Sequence, residues 1–342
     1  MTDPTLLITG GVGFVGSHFA RLAHETGRRV VILDDLSGGA PLTATAPGAA
    51  AIEVVVGDIG DVALVTRLCR DYQVDAVAHF AGKIQVGESV RDPALYFDVN
   101  VVRTLALLGA IRAAGVRSCL FSSTAAVYGD PLSVPISELA PRAPVNPYGA
   151  TKLAIELALE AWGTAYGLRW CALRYFNAAG AHPDGTLGEC HDPETHLIPL
   201  ILDAGRGTRP ALTLYGDDYD TLDGTCVRDY VHVSDLASAH LAALDRLAQG
   251  HTLGAINLGT GVGISVRQVL DAARRVLGHD IPHSIGPRRA GDPPRLIADP
   301  SRAGRILDWT ARRSELSTIV DDALRSRRDR DPRRPGAPCG RA

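Results

Sequence analysis

The chain has 342 residues and a formal net charge of −3, enough for one large or two fused domains around a substantial core. With 46% hydrophobic and 21% charged residues it has the composition of an ordinary globular protein. With no basic excess, neither nucleic acid nor an anionic membrane is an expected partner. No apolar run approaches the length of a membrane span. A strand-like run begins at Leu6, almost directly after Met1, so no signal peptide is expected. Six scattered cysteines without a C-x-x-C pair fit the reducing cytoplasm better than a disulfide framework or zinc ribbon.

In chain order, Leu6–Thr9 reads as strand, Phe14–Glu25 as helix, Val30–Asp34 as strand, Ile52–Val56 as strand, Asp61–Asp71 as helix and Ala76–Phe80 as strand. Pro93–Ala114 reads as helix, Cys119–Ser122 as strand, Pro147–Tyr166 as helix and Trp170–Tyr175 as strand. This alternation, with strands apolar throughout, predicts a doubly wound parallel sheet of Rossmann type with helices on both faces. The small-residue segment Gly38–Ala51 is expected to be a loop. After about Asn177 the alternation fails. Residues 179–224 read as long loops around a few short elements, before a helix near Ser234–Leu247, a strand near Ala255–Leu258 and a helix near Val266–Leu277. The expected organisation is a cofactor domain of residues 1–178 with a return segment at about 225–260. A smaller α/β substrate region takes 179–224 and 261–324, and the charged, Pro/Gly-rich residues 325–342 form a disordered tail.

Chemistry-bearing residues fall at the strand ends. Gly10, Gly13 and Gly16 follow the first strand, and Phe14 and Val15 open the first helix. Such glycines permit a tight turn and close approach of backbone to a pyrophosphate at a helix N-terminus. A glycine pattern alone is weak. Here Asp34 ends the second strand, where a carboxylate can accept from ribose hydroxyls and repels a 2′-phosphate, so NAD is favoured over NADP. Asp58, followed by Ile59, either receives the adenine amino group or simply ends a strand. Tyr148 and Lys152 stand four residues apart on one helix face. The ammonium, with a positive nicotinamide ring, is expected to lower a phenol pKa that is ordinarily about 10 and so make Tyr148 a usable base. Thr124, at the same sheet edge, can hold the reacting oxygen. Of the 35 basic residues only Lys83 and Lys152 are lysine, and both sit in motifs where a compact ammonium can serve a function that arginine cannot.

These residues lie in longer stretches: TGGVGFVGSH (Thr9–His18), HFAGKIQVGES (His79–Ser89), FSSTAAVYG (Phe121–Gly129), NPYGATK (Asn146–Lys152), LRYFNAAGAHPDG (Leu173–Gly185), DGTCVRDYVHVSDLA (Asp223–Ala237) and PRRAGDPP (Pro287–Pro294). On them the chain, from about Leu6 to Trp309, resembles the extended short-chain dehydrogenase/reductase family and, within it, the UDP-glucose 4-epimerases. The resemblance implies that Phe80, Ala81, Gly82, Lys83, Asn100, Ser122 and Tyr175 lie on the cofactor side. It implies substrate contacts from Asn177, His196, Leu197 and Tyr230, a uracil platform at Leu214 and Tyr215, a diphosphate clamp of Arg228 and Arg289, and a uridine-ribose contact at Asp292. Two positions depart from the family. Its lysine after His79-Phe80-Ala81-Gly82 falls one residue later, where this chain has Ile84. At His196 the family often has asparagine.

The chemistry implied is transient oxidation of a nucleotide sugar at C4, rotation of the 4-ketose, and its reduction on the other face, with NAD regenerated each turnover. A 4,6-dehydratase would need an acidic pair after Thr124, where this chain has Ala125-Ala126. Two further readings stay open: a 4-epimerase for uronic acids or pentoses, and an NAD-sensing protein without catalysis. No metal is expected, since Cys190, His191 and His196 match no zinc spacing and fall short of four ligands. His79 and His232 are expected to be packed, structural histidines. Helix Pro93–Ala114, apolar around much of its circumference, is expected to pair with Pro147–Tyr166 in a homodimer. In the family, a residue shortly after the Arg289–Asp292 segment borders the sugar's 2′ substituent, and a tyrosine there restricts the enzyme to plain hexoses. This chain has Leu296, which implies room for UDP-N-acetylhexosamines.

Overall fold

The apolar runs become the strands of one large sheet. A computed structural model describes residues 5–38, 52–191, 193–289 and 292–329. The chain begins with β1 (Thr5–Thr9), α1 (Phe14–Glu25), β2 (Arg29–Asp34), β3 (Glu53–Val56), α2 (Val62–Asp71), β4 (Val74–His79), α3 (Val86–Arg91), α4 (Pro93–Phe97) and α5 (Arg103–Ala113). Next come β5 (Ser118–Thr124), α6 (Pro147–Tyr166), β6 (Arg169–Tyr175), β7 (Asn177–Ala179), α7 (Leu197–Gly205), β8 (Leu212–Tyr215), β9 (Val227–Arg228), β10 (Tyr230–His232) and α8 (Val233–Ala248). The last elements are β11 (Gly254–Leu258), β12 (Ile264–Ser265), α9 (Val266–Leu277), β13 (His283–Gly286), β14 (Arg295–Leu296), α10 (Ser301–Leu307) and α11 (Leu316–Asp329).

Seven strands pair in the order β11-β6-β5-β4-β1-β2-β3, all in parallel. Because β4 returns to the other side of β1, the strand order reverses there, and a crevice opens at their carboxyl ends. Phe19, Ala20 and Ala23 of α1 pack with Leu236, Ala243 and Leu244 of α8 over one face. Val65 of α2, Leu107 and Ile111 of α5, and Ile155 and Leu159 of α6 cover the other. Both faces are sealed, which is why the strands carry little polar alternation. A third apolar cluster joins α7, α9 and α11 through Ile201, Val269 and Ile319. There the sheets are small: β8 with β13, β7 with β10, and β9 between β12 and β14.

Helices α1, α6 and α9 have the limits read from the sequence, and their ends carry recognisable stops. Asn146 caps α6 through a 2.8 Å bond from the Gly149 N–H, Pro147 occupies its first turn, and Gly167 closes it in the left-handed conformation. Ser265 and Gln268 form a capping box on α9.

Elsewhere the structure corrects the reading. Pro93–Ala114 is not one regular helix, because a π turn over Asp98–Val102 separates α4 from α5. The 21-residue stretch Pro93–Ala113 contains a window with a mean hydropathy of 1.5, apolar enough to cross a membrane by length and composition alone, contrary to the expectation from the sequence. Leu107, Leu108 and Ile111 pack this stretch against the core of the large sheet, while Phe97, Val102 and Leu105 stay exposed. The few short elements expected within 179–224 include α7 and β8. Residues 325–329, expected in a disordered tail, continue α11. Residues 330–342 and 39–51, hence that tail's end and most of the small-residue loop, lie outside the described residues.

Candidate active site

The glycine turn is built by close approach. Gly10 has φ +69°, and a Cβ on it would lie 2.4 Å from the Ala81 nitrogen, so β1 can meet the end of β4 only with glycine there. At Gly13 an added Cβ would meet only the Gly10 carbonyl, at 3.4 Å. Its outer side is an open cradle at the N-terminus of α1, where Gly13 supplies no side-chain cap to the first-turn amides. Asp34 is buried and accepts from the Val12 N–H at 3.0 Å and the Leu36 N–H at 2.9 Å. Each oxygen keeps a lone pair for a ribose hydroxyl. Burial raises its pKa and these bonds partly offset that. An open backbone cradle beside a buried carboxylate suits a dinucleotide lacking a 2′-phosphate. Ile59 is buried. Asp58 is already engaged by the Arg103 guanidinium and by the Gly60 N–H at 2.6 Å, so an adenine contact would share that carboxylate.

Phe80, Ala81 and Gly82 follow directly at the carboxyl end of β4, and Lys83 is held by its backbone. Asn100 accepts from the Lys83 N–H at 2.8 Å and donates to the Lys83 carbonyl at 3.0 Å and to Thr151 Oγ1 at 3.1 Å. Asn100 is the buried residue of the π turn. Tyr175 is buried and hydrogen-bonded to His240.

The catalytic residues meet because α6 begins against the loop after β5. A Cβ on Gly149 would lie 2.5 Å from the Ala126 carbonyl oxygen, a contact that its place in the motif does not reveal. That approach brings Tyr148 beside Thr124, whose Oγ1 accepts from the Ala126 N–H at 3.1 Å. Lys152 is 3% exposed. Its Nζ donates to the Ser122 carbonyl at 2.9 Å and stands 4.9 Å from the centre of the Phe121 ring. Burial lowers Lys152 to about 8. Burial also raises Tyr148, and the neighbouring Thr124 hydroxyl only partly offsets this. The expected lowering of the phenol pKa is therefore not a property of the chain alone. A bound nicotinamide would add positive charge beside Tyr148 and favour the phenolate.

Behind these residues is a buried network that the sequence does not announce. Arg174 bonds Glu156 at 2.9 and 2.5 Å and Tyr128 at 2.7 Å, and Ser123 donates to Glu156 at 2.6 Å. It ties α6 to β5 and β6, and losing one partner of so buried a pair costs about 3–5 kcal/mol. His79 bonds Thr9 at 2.7 Å and Thr104 at 3.0 Å. His232 accepts from the Ser234 N–H at 3.0 Å and lies 3.2 Å from Asp322. Both are structural, as expected.

The substrate-side residues come from several elements. Arg228 in β9 is paired with Asp292, and β14 places Leu296 beside it in register. Leu296 packs against the cluster of Ala125, Val127 and Tyr128 that follows Thr124. The Arg289 guanidinium lies 4.2 Å from the centre of the Tyr215 ring. Asn177 donates its N–H to the Asp229 carbonyl at 2.9 Å. Two residues are less available than expected. Leu214 is turned into the core at 1% exposure, so only Tyr215 offers an exposed side chain at the expected platform. Tyr230 is likewise enclosed in the C-terminal core. His196 and Leu197 open α7, with the His196 ring against Glu189.

Comparison with known proteins decides among the chemistries that this arrangement permits. Residues 6–259 match the model of the NAD dependent epimerase/dehydratase family. The chain belongs to that family. A UDP-glucose 4-epimerase of Azospirillum brasilense is 47% identical over 349 aligned positions, covering 100% of this chain and 99% of the relative. The crystal structure of UDP-glucose 4-epimerase from Brucella ovis in complex with NAD has a TM-score of 0.90 and 46% identity, covering 94% of this chain and 98% of its own. The UDP-Glc/GlcNAc 4-epimerase of Campylobacter jejuni has a TM-score of 0.81 and 38% identity, covering 95% and 100%. The family's cofactor, NAD, is the one the Gly13 cradle and Asp34 suit.

Proposed function

We propose that the protein interconverts UDP-glucose and UDP-galactose by transient oxidation at C4 of the sugar. The observation that carries this reading is Tyr148 beside Thr124 at the carboxyl edge of a dinucleotide-binding sheet, with Ala125-Ala126 where a dehydratase needs acidic groups. Thr124 orients the C4 oxygen. Tyr148 takes its proton and returns one when the opposite face is presented. Lys152, fixed by the Ser122 carbonyl, holds the ribose on the cofactor side. Bound NAD supplies the acceptor, and then the donor, for the C4 hydrogen, so none is consumed. Gly10, Gly13, Phe14, Val15, Gly16 and Asp34 hold it, with Asp58, Ile59, Phe80, Ala81, Gly82, Lys83, Asn100 and Tyr175 along its length. The test is incubation with UDP-galactose without added NAD, the product identified by NMR. Formation of UDP-glucose is expected, and its absence from protein that retains NAD would refute the reading.

Arg228 and Arg289 clamp the diphosphate, Tyr215 carries the uracil, and Asp292 takes the uridine ribose. Asn177, His196 and Leu197 complete the wall, with Leu214 and Tyr230 supporting it from the core. The division of labour follows: residues 1–178 with 225–260 for the cofactor, 179–224 and 261–324 for the substrate. Leu296 leaves more room than tyrosine beside the sugar, which supports turnover of UDP-N-acetylhexosamines as well. The enzyme acts in the cytoplasm as a homodimer. Val102 of the π turn, Leu105 of α5 and Leu157 of α6, exposed at 60%, 36% and 48%, are apolar surface that a second copy covers.

A further inference from the structure

Between β7 and α7 the chain carries one short pattern twice. Glu189-Cys190-His191 and Glu194-Thr195-His196 both read Glu-x-His, five residues apart. Cys190, His191 and His196 alone fall short of four ligands, but the two glutamates complete the count. In the structure the two copies face each other. Glu189, His191, Glu194 and His196 each contribute one ligand atom, all within 4.8 Å of one another. Glu189 is buried, and its Oε1 lies 3.1 Å from His191 Nδ1 and against His196 Nδ1. Glu194 Oε1 lies 3.5 Å from His191 Nδ1. The two imidazoles meet edge to face at 5.1 Å.

The geometry suits a small cation. Ligand atoms at about 2.0–2.2 Å from a tetrahedral centre are separated by roughly 3.3–3.6 Å, close to the spacings from His191 to the two carboxylates. Two neutral imidazoles and two carboxylates balance a divalent charge and are a donor set of the zinc class rather than of calcium or magnesium. His191 Nδ1 is shielded from solvent and faces the Glu189 and Glu194 carboxylates at 3.1 and 3.5 Å, so a cation between them would take a nitrogen already aimed at both acidic groups. An outer layer also holds the carboxylates. Glu194 Oε1 accepts from the Thr195 and His196 N–H groups at 2.9 and 3.0 Å, and Arg327 of α11 bonds its Oε2 at 3.1 Å. Such support orients ligands in metal sites.

We propose that Glu189, His191, Glu194 and His196 bind one divalent transition metal ion of the zinc class. The ion ties the loop before α7 to the first residues of that helix and, through Glu194 and Arg327, to α11. It takes no part in the oxidation and reduction of the sugar. Its role is to fix the backbone that presents His196 and Leu197.

The test uses the full-length protein with its NAD, stripped by chelator and titrated calorimetrically with Zn²⁺ and, by visible absorption, with Co²⁺. One equivalent of Zn²⁺ is expected with Kd below about 1 μM, a tetrahedral Co²⁺ spectrum that Zn²⁺ displaces, and a melting temperature that rises with Zn²⁺. His191→Gln and Glu194→Gln, with folding verified by metal-free circular dichroism, should each weaken binding about 100-fold, while Cys190→Ser should not. Affinity weaker than about 1 mM in the wild type would leave an ion-pair cluster only and overturn the proposal. Binding that survives both substitutions, or that is lost in Cys190→Ser, would also overturn it.

Discussion

The two halves of the site rest on different physics. In the cofactor half, recognition is a property of backbone. The Gly10 turn, the open Gly13 cradle, the N-terminus of α1 and the Asn100 clamp on Lys83 all stand at strand ends of one rigid sheet. In the substrate half the work falls to side chains on short strands and loops: Arg228 against Asp292, Arg289 over Tyr215, Leu296 against the turn after Thr124. Chemistry is concentrated where the frame is stiffest, and discrimination where single side chains can change without moving that frame.

If the comparison is right, substitutions in the two halves should separate kinetically. Tyr148→Phe should lower kcat by about 10²–10⁴-fold with NAD retained and KM little changed. Near-normal turnover would end the assignment. Arg228→Ala should act chiefly on KM, raising it about 10–100-fold, the size expected for a charge-assisted hydrogen bond. A fall confined to kcat would place Arg228 in the chemistry instead. Leu296→Tyr should sharpen the contrast further. The kcat/KM ratio of acetylated to plain hexose pairs should fall about tenfold or more, with the plain pair spared, and an unchanged ratio would remove Leu296 from the pocket wall.

The smallest effect is on stability. Lys152 titrates near 8 in the folded chain against an ordinary value of 10.5, so between these values the unfolded chain binds more protons. The buried ammonium costs stability in full below about pH 8, and the cost fades as pH rises toward 10.5. The melting temperature of wild type should therefore gain on that of Lys152→Met across this window. A difference that stays flat with pH would show that the ammonium is not desolvated.

The cofactor half was legible in the sequence because backbone demands leave residue signatures. Glycines at fixed spacing, a carboxylate at the end of β2, and an Asn-Pro start to α6 each report local geometry. The π turn at Asp98–Val102 leaves no such mark, since an apolar helix sequence reads the same with or without one wider turn. The Arg174–Glu156 network was hidden for another reason: its members are 18 residues apart on different elements, and only the packing of α6 on β6 brings them together. Leu214 and Tyr230 carry residue types that fit either a ligand or a core, and burial alone separates the two. The Glu189–His196 cluster is not legible as a constellation, because its spacing matches no zinc pattern and only the turn before α7 brings the two carboxylates to the histidines.

The central claim is that the C4 hydrogen leaves the sugar and returns within one turnover, beneath Tyr148. UDP-galactose carrying deuterium at C4 tests it directly when converted in ordinary water and examined by NMR. The account predicts UDP-glucose with the deuterium retained at C4. Washout of the label to solvent would contradict it.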